Sequence, residues 1–289
     1  MHRFLACARF GCFVRAVFFL MSEAFRTIEF SHPSLTPPGV HWATVKSAAL
    51  RRRADVSFYV PPGQSAASLP RVVLLHGVYG SHWAWLFKGA AHEVLNHLIK
   101  HEDLPPMLLA MPSDGLWGDG SGYLRHADAD YSRWIVEEVP RLASELEPRS
   151  AGSPVFIAGL SMGGWGALRL GALHPEIFAG ISAHSSITEM GQMQGFVAEY
   201  PEGYDLIEER PLQALECLKL NAHRLPPVRF DCGTEDLLIE PNRHLHQALE
   251  RAGIGHVYEE FPGGHTWEYW REHLADSLRF FGGLLSRSA

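Results

Sequence analysis

The chain has 289 residues, 46% of them hydrophobic, enough for one large core of the size usual for a single α/β domain. Net charge is −7, from 25 basic and 32 acidic residues, with no long basic run, so nucleic acid is excluded as a natural partner. The four cysteines, Cys7, Cys12, Cys217 and Cys232, show no metal spacing, and such usage suits a reducing, cytoplasmic setting.

Residues 1–20 are basic and apolar, but Arg9 and Arg15 interrupt them. The longest apolar run there, Ala16–Met21, is shorter than a secretory core of about 7–15 residues and far short of the roughly 20 that span a bilayer. Residues 1–21 therefore read as an extension outside the fold, over-extended upstream of Met21; an export or anchoring segment is the alternative. Residues 22–289 read as the single domain, with no integral membrane span.

A Pro-rich approach, Ser31–Gly39, leads into two strands, near His41–Ser47 and Asp55–Val60, expected to pair antiparallel at one sheet edge. Pro61-Pro62-Gly63 is a turn. The parallel strands are then predicted at Arg71–Leu75, Met107–Met111, Val155–Ala158, Ala179–Ala183, Val228–Cys232 and His256–Phe261. Between them lie helical patterns at Ala84–Lys100, Tyr131–Leu146 and Asn242–Arg251, with Trp267–Leu285 last. Strand–helix alternation of this kind predicts an α/β fold with a mostly parallel central sheet and helices on both faces. Two insertions interrupt it: the Gly- and Asp-rich Asp114–Ala129, and Ser185–Leu225, which has the length of a small lid.

The stretch Pro154–Pro175 carries the chemistry. Strand residues run into Gly159-Leu160-Ser161-Met162-Gly163 and a helix follows at once. This is a G-x-S-x-G nucleophile elbow in its required strand–turn–helix setting, and it makes Ser161 the candidate nucleophile. A strained turn of this kind pushes the hydroxyl out over the C-terminal edge of the sheet. A base and an orienting acid are expected later in the chain, in the order acid then base. Asp236, in the loop after Val228–Cys232, is the candidate acid. Asp231, within the strand, and Glu235, beside Asp236, are its competitors. His265, after the last strand and before the last helix, is the candidate base. Such loops lie where open parallel sheets place their sites. The backbone N–H of Met162 and that of Val78, in His76–Gly80 after Arg71–Leu75, are the expected oxyanion donors. His76 itself reads as structural. Tyr79, Trp117, Trp165 and His184 are weaker candidates for substrate contact, drawn from an aromatic cluster that includes Trp83, Trp85 and Trp267. Neither a metal-binding pattern nor a phosphate loop is present, and the chemistry needs no cofactor.

These segments resemble the Putative esterase family, which includes esterase D, the tributyrin and feruloyl esterases and the mycolyltransferases. The resemblance rests on LLHGVYG, AMPSDG, DYSRWIVEEVP, GLSMGGWGALRL, CGTEDLL and GGHTWEYW, in that order, over roughly Trp42 to Phe281. It implies an α/β-hydrolase fold, a Ser161–Asp236–His265 triad and serine carboxylesterase activity on a small-molecule ester. It also leaves room for an S-formylglutathione-type thioesterase or an acyltransferase on the same scaffold, and for a homo-oligomer. A binding protein without catalysis is the rival from another class, and the complete set of groups argues against it.

Overall fold

The computed structural model describes residues 25–102, 104–199, 203–207 and 209–288. The expected extension, residues 1–21, lies outside them. One nine-stranded sheet organises the chain, in the order β1-β2-β3-β5-β4-β6-β7-β8-β9. Its strands are β1 (Phe25–Phe30), β2 (Val40–Ser47), β3 (Arg53–Tyr59), β4 (Arg71–Leu75), β5 (Leu108–Pro112), β6 (Val155–Leu160), β7 (Phe178–His184), β8 (Val228–Gly233) and β9 (Val257–Phe261).

From β5 across to β9 all neighbours are parallel. The strands β4 and β6 are buried along their whole length, as continuous apolar runs must be when helices cover both faces. The antiparallel edge is longer than the sequence indicates. Beyond the expected pair β2–β3 lies β1, which pairs with β2 and carries a register shift between Phe25 and Ile28. Its pattern is mostly exposed, so it offers little of the apolar alternation by which a strand is recognised.

Helices cover the two faces in two apolar layers. On one side α4 (Val139–Leu146), α5 (Met162–Leu173), α6 (Ala214–Leu220) and α7 (Ile239–Arg251) pack through residues such as Leu142, Leu168, Leu218 and Leu249. On the other, α1 (Ala84–Phe87), α2 (Ala91–His101) and α8 (Trp267–Ser288) contribute Trp85, Leu95, Leu98, Leu274 and Phe281. The short α3 (Tyr131–Arg133) precedes α4. No helix among the described residues is long and apolar enough to cross a membrane.

Two helices differ from their sequence pattern. The continuous helix expected over Ala84–Lys100 is broken into α1 and α2, with Ala90 in the left-handed region at φ 48°. Gly89 sits so close to Trp85 that an added Cβ would lie 2.8 Å from the indole ring and 2.9 Å from the Trp85 carbonyl. The apolar spacing continues through the break, which is why periodicity alone runs across it. The helix over Tyr131–Leu146 is present, but Trp134–Glu138 widens to a π turn between α3 and α4. The Glu138 side chain is buried there, accepting hydrogen bonds from Ser47 Oγ and from the Ala49 N–H at 2.8 Å. A buried carboxylate thereby ties the helix to the β2–β3 connection. The second insertion holds its own short helices, a 3₁₀ turn at Met190–Gly195 and α6.

Candidate active site

The elbow forms because two glycines let three backbones approach. A Cβ on Gly159 would lie 2.2 Å from the Gly163 carbonyl oxygen, and one on Gly163 would lie 2.4 Å from that of Leu75. Neither backbone can yield to a methyl group at that range. Between them Ser161 is held at φ 53°, ψ −119°, in the left-handed half of the map where a non-glycine residue is strained. Its N–H donates to the His184 carbonyl of β7 at 3.0 Å, and its carbonyl accepts from the N–H groups of Trp165 and Ile187. The strain is thus held by bonds to the neighbouring strand and to the start of α5. Ser161 ends on the floor of a cavity, with only 2% of its surface exposed, rather than standing free above the sheet edge.

The three candidate groups meet. With its proton on Nδ1, the His265 imidazole donates to the Asp236 carboxylate, 3.0 Å from Oδ1 and 2.9 Å from Oδ2. That leaves Nε2 as the acceptor, 3.1 Å from Ser161 Oγ. The Asp236 side chain is wholly buried. Burial alone would raise its pKa. The hydrogen bond and charge of His265, with the Leu238 N–H at 2.8 Å on Oδ1, outweigh burial and lower it below the ordinary carboxylate value. Trp270 stands edge-on to His265 at 4.9 Å between ring centroids, and Phe196 packs at 5.9 Å. These two rings fix the imidazole plane from outside the triad.

The competitors for the acid are engaged elsewhere. Asp231 lies inside β8, bound by Arg229 Nη1 and by the Tyr269 hydroxyl at 2.8 Å, with the His184 ring nitrogen also 2.8 Å away. Glu235 donates its backbone N–H to the Gly263 carbonyl, and among the described residues the His265 ring bonds to Asp236 and Ser161 and not to the Glu235 side chain.

The loop after β4 is braced from within. His76 Nδ1 donates to the Gly77 carbonyl at 2.7 Å, and its Nε2 accepts the Asp114 N–H at 3.0 Å. The Tyr123 hydroxyl donates to the His76 carbonyl at 2.9 Å. His76 is therefore a strut, as expected, with neither ring nitrogen free to serve as a base. The brace leaves the Val78 N–H without a hydrogen-bond partner among the described residues. Met162 is the first residue of α5, where an N–H has no intrahelical acceptor. Both Val78 and Ser161 line the same cavity.

That cavity, of about 380 Å³, is walled by Tyr79, Trp83, Lys88, Phe196, Trp267 and Trp270 around Ser161 and His265. Of the four residues expected to touch substrate, only Tyr79 stands in it. It is 70% exposed, and its hydroxyl donates to the Phe196 carbonyl, joining the loop after β4 to the insertion after β7.

The other three lie elsewhere. Trp165 is fully buried, because α5 is covered along its whole length, and its indole N–H donates to the Leu212 carbonyl at 2.8 Å. His184 is fully buried too, on the same face of β7 as Ser182 and turned toward α8, with Nε2 2.8 Å from Ser277 Oγ. Its backbone carbonyl, not its ring, serves the elbow. Trp117 packs against His126 and Tyr204 at 4.6 and 4.8 Å, filling the base of its own insertion. Trp270, Lys88 and Thr266 line the cavity without having been singled out by sequence. A signal was available for Trp270: it follows His265 by five residues, on the first turn of the helix that the loop carrying His265 enters. Among the described residues no cluster of His, Cys, Asp and Glu could hold a metal ion.

Comparison with known proteins places the chain in an esterase family. The family described as "Putative esterase" matches residues 47–281. An acetyl esterase of Caldicellulosiruptor saccharolyticus is 28% identical over 232 residues, covering 74% of this chain and 83% of its own. Among solved structures, a ferulic acid esterase superposes with a TM-score of 0.73 at 22% identity, covering 91% of this chain and all of its own. An S-formylglutathione hydrolase from Agrobacterium tumefaciens does so with a TM-score of 0.72 at 20% identity, over 91% and 99%. At those identities the likeness is one of fold, that of the α/β-hydrolases.

Proposed function

From the premise that this chain belongs to the Putative esterase family, and is therefore a serine ester hydrolase, we propose that Ser161, His265 and Asp236 hydrolyse a carboxylic ester through an acyl-enzyme. The observation that carries the assignment is the unbroken line from the Asp236 carboxylate through His265 to Ser161 Oγ, every step between 2.9 and 3.1 Å.

Ser161 Oγ attacks the ester carbonyl as His265 Nε2 takes its proton. Asp236 keeps the imidazole in the required tautomer and balances the imidazolium. The Val78 and Met162 N–H groups receive the oxyanion, where charge appears only as the tetrahedral species forms. Collapse breaks the bond to the alcohol, which leaves with the proton from His265. Water then enters, gives a proton to the same nitrogen as its oxygen attacks the acyl carbon, and collapse breaks the bond to Ser161 Oγ, which takes that proton back from His265 as the acid leaves. The orphaned Val78 N–H and the helix-start position of Met162 support their part in this.

The test is turnover of short-acyl aryl esters by the wild type and by Ser161→Ala. The serine variant should lose on the order of 10⁴–10⁶ in kcat while keeping its fold. Retention of a tenth of the wild-type rate would place the nucleophile elsewhere.

A further inference from the structure

Among the described residues two side chains that can carry positive charge, His265 and Lys88, line the cavity over Ser161, and no carboxylate belongs to its walls. Asp236 lies behind the imidazole, fully buried. In a chain of net charge −7, Lys88 stands in a cavity whose other large side chains are mostly aromatic: Tyr79, Trp83, Phe196, Trp267 and Trp270.

The break between α1 and α2 sets Lys88 in place. Its N–H donates to the Ala84 carbonyl at 2.9 Å, closing α1. The next residue, Gly89, is pressed against Trp85 and Trp267 so closely that only glycine fits. The Lys88 ammonium stands 5.5 Å from the centroid of the Trp267 ring, a cation–π contact that holds it at the rim. Among the described residues no carboxylate forms an ion pair with it.

The position also fixes which part of a substrate it meets. His265 returns its proton to the leaving oxygen, so the wall that continues from His265 through Thr266 to Trp267 borders the leaving group. Lys88 stands on that wall.

We propose that Lys88 is a specificity-determining residue, taking a carboxylate carried by the leaving alcohol or phenol while the body of that group lies against Trp83 and Trp267. The inference rests on the esterase reading above and names a substrate class for it: esters whose leaving group is aromatic or apolar and bears an anion.

The experiment compares 4-acetoxybenzoate with its neutral methyl ester, methyl 4-acetoxybenzoate, following acetate release. The acyl group is the same, and the leaving groups differ in charge. The readout is the ratio of kcat/KM for the anionic over the neutral ester, in the wild type, Lys88→Gln, Lys88→Arg and Lys88→Glu. A half-exposed ion pair of this kind is worth up to about fivefold. The ratio should therefore fall about three- to fivefold in Lys88→Gln, chiefly through KM, and further in Lys88→Glu. It should be kept in Lys88→Arg. In the wild type the preference should shrink at about 0.5 M salt, where charges are screened over a few ångströms. A ratio unmoved by Lys88→Gln and Lys88→Glu, with the neutral ester still turned over by the wild type, would overturn the proposal and leave the esterase reading intact. Failure of the wild type to release acetate from either ester would bring down both.

Discussion

At the scale of single residues, the site depends on one proton position. Asp236 orients His265 by accepting from Nδ1, and the amide of Asp236→Asn would present a donor there or leave the imidazole in its other tautomer. That variant should fold normally and lose about 10⁴ in kcat, by the precedent of serine proteases. The comparison is with Glu235→Gln, which should keep wild-type turnover because Glu235 does not reach the imidazole. The reverse outcome would move the acid to Glu235.

Asp231 makes a different prediction. Burial opposes its charge, but the His184 ring, the Arg229 guanidinium and the Tyr269 hydroxyl outweigh it and hold its pKa at about 2. A depressed carboxylate stabilises the folded state above its ordinary value of about 3.9 and loses that contribution as pH falls through its folded value. The part of stability owed to Asp231 should therefore be present at neutral pH and vanish between about pH 4 and pH 2. Asp231→Asn leaves Arg229, 2% exposed, buried without its closest partner, and should cost about 3–5 kcal/mol. Denaturant titrations across that pH range should show about one proton less of linkage in the variant. An unchanged acid limb would mean the cluster carries no such energy.

At the scale of elements, the elbow is the piece that local sequence specifies most fully. Gly159 is required by the Gly163 carbonyl oxygen within its own turn and Gly163 by that of Leu75 in β4, each within 2.4 Å of where a Cβ would stand, and the G-x-S-x-G spacing shows both in the sequence. Gly163→Ala should force β4 away from α5, destabilise the protein by about 1–3 kcal/mol and lower turnover at least tenfold by displacing Ser161. Thermal melts and ester kinetics on that single variant check both. Wild-type values for both would show that the close approach is not needed.

The rest of the site was legible in proportion to how local its cause is. Asp236 and His265 could be placed because loops at the ends of parallel strands converge whatever the helices do. The break at Gly89 could not, because apolar spacing continues across it and one of the two rings against Gly89, Trp267, comes from the far end of the chain, and Lys88 was lost with it. Trp165 and His184 were misplaced for the opposite reason. Both neighbour the elbow in sequence or in strand register, yet helix and strand geometry turn their side chains into the protein. The π turn at Trp134–Glu138 likewise answers to a distant hairpin, through Glu138 and Ser47.

At the scale of the whole molecule, the two apolar layers share one sheet. Phe156 of β6 faces Phe281 at 4.7 Å on one side, while Ile157 joins the layer on the other. We propose on this ground that residues 25–288 unfold as one unit. Far-ultraviolet circular dichroism and tryptophan fluorescence should then give the same denaturation midpoint; separated midpoints would divide the chain.

The central claim is that the nucleophile of this fold is Ser161, and covalent trapping tests it most directly. Treated with a fluorophosphonate, the protein should gain the mass of a single phosphonyl group and lose esterase turnover in step. Peptide sequencing by mass spectrometry should place the group on Ser161. Absence of an adduct on an active preparation, or an adduct on another residue, would contradict the account.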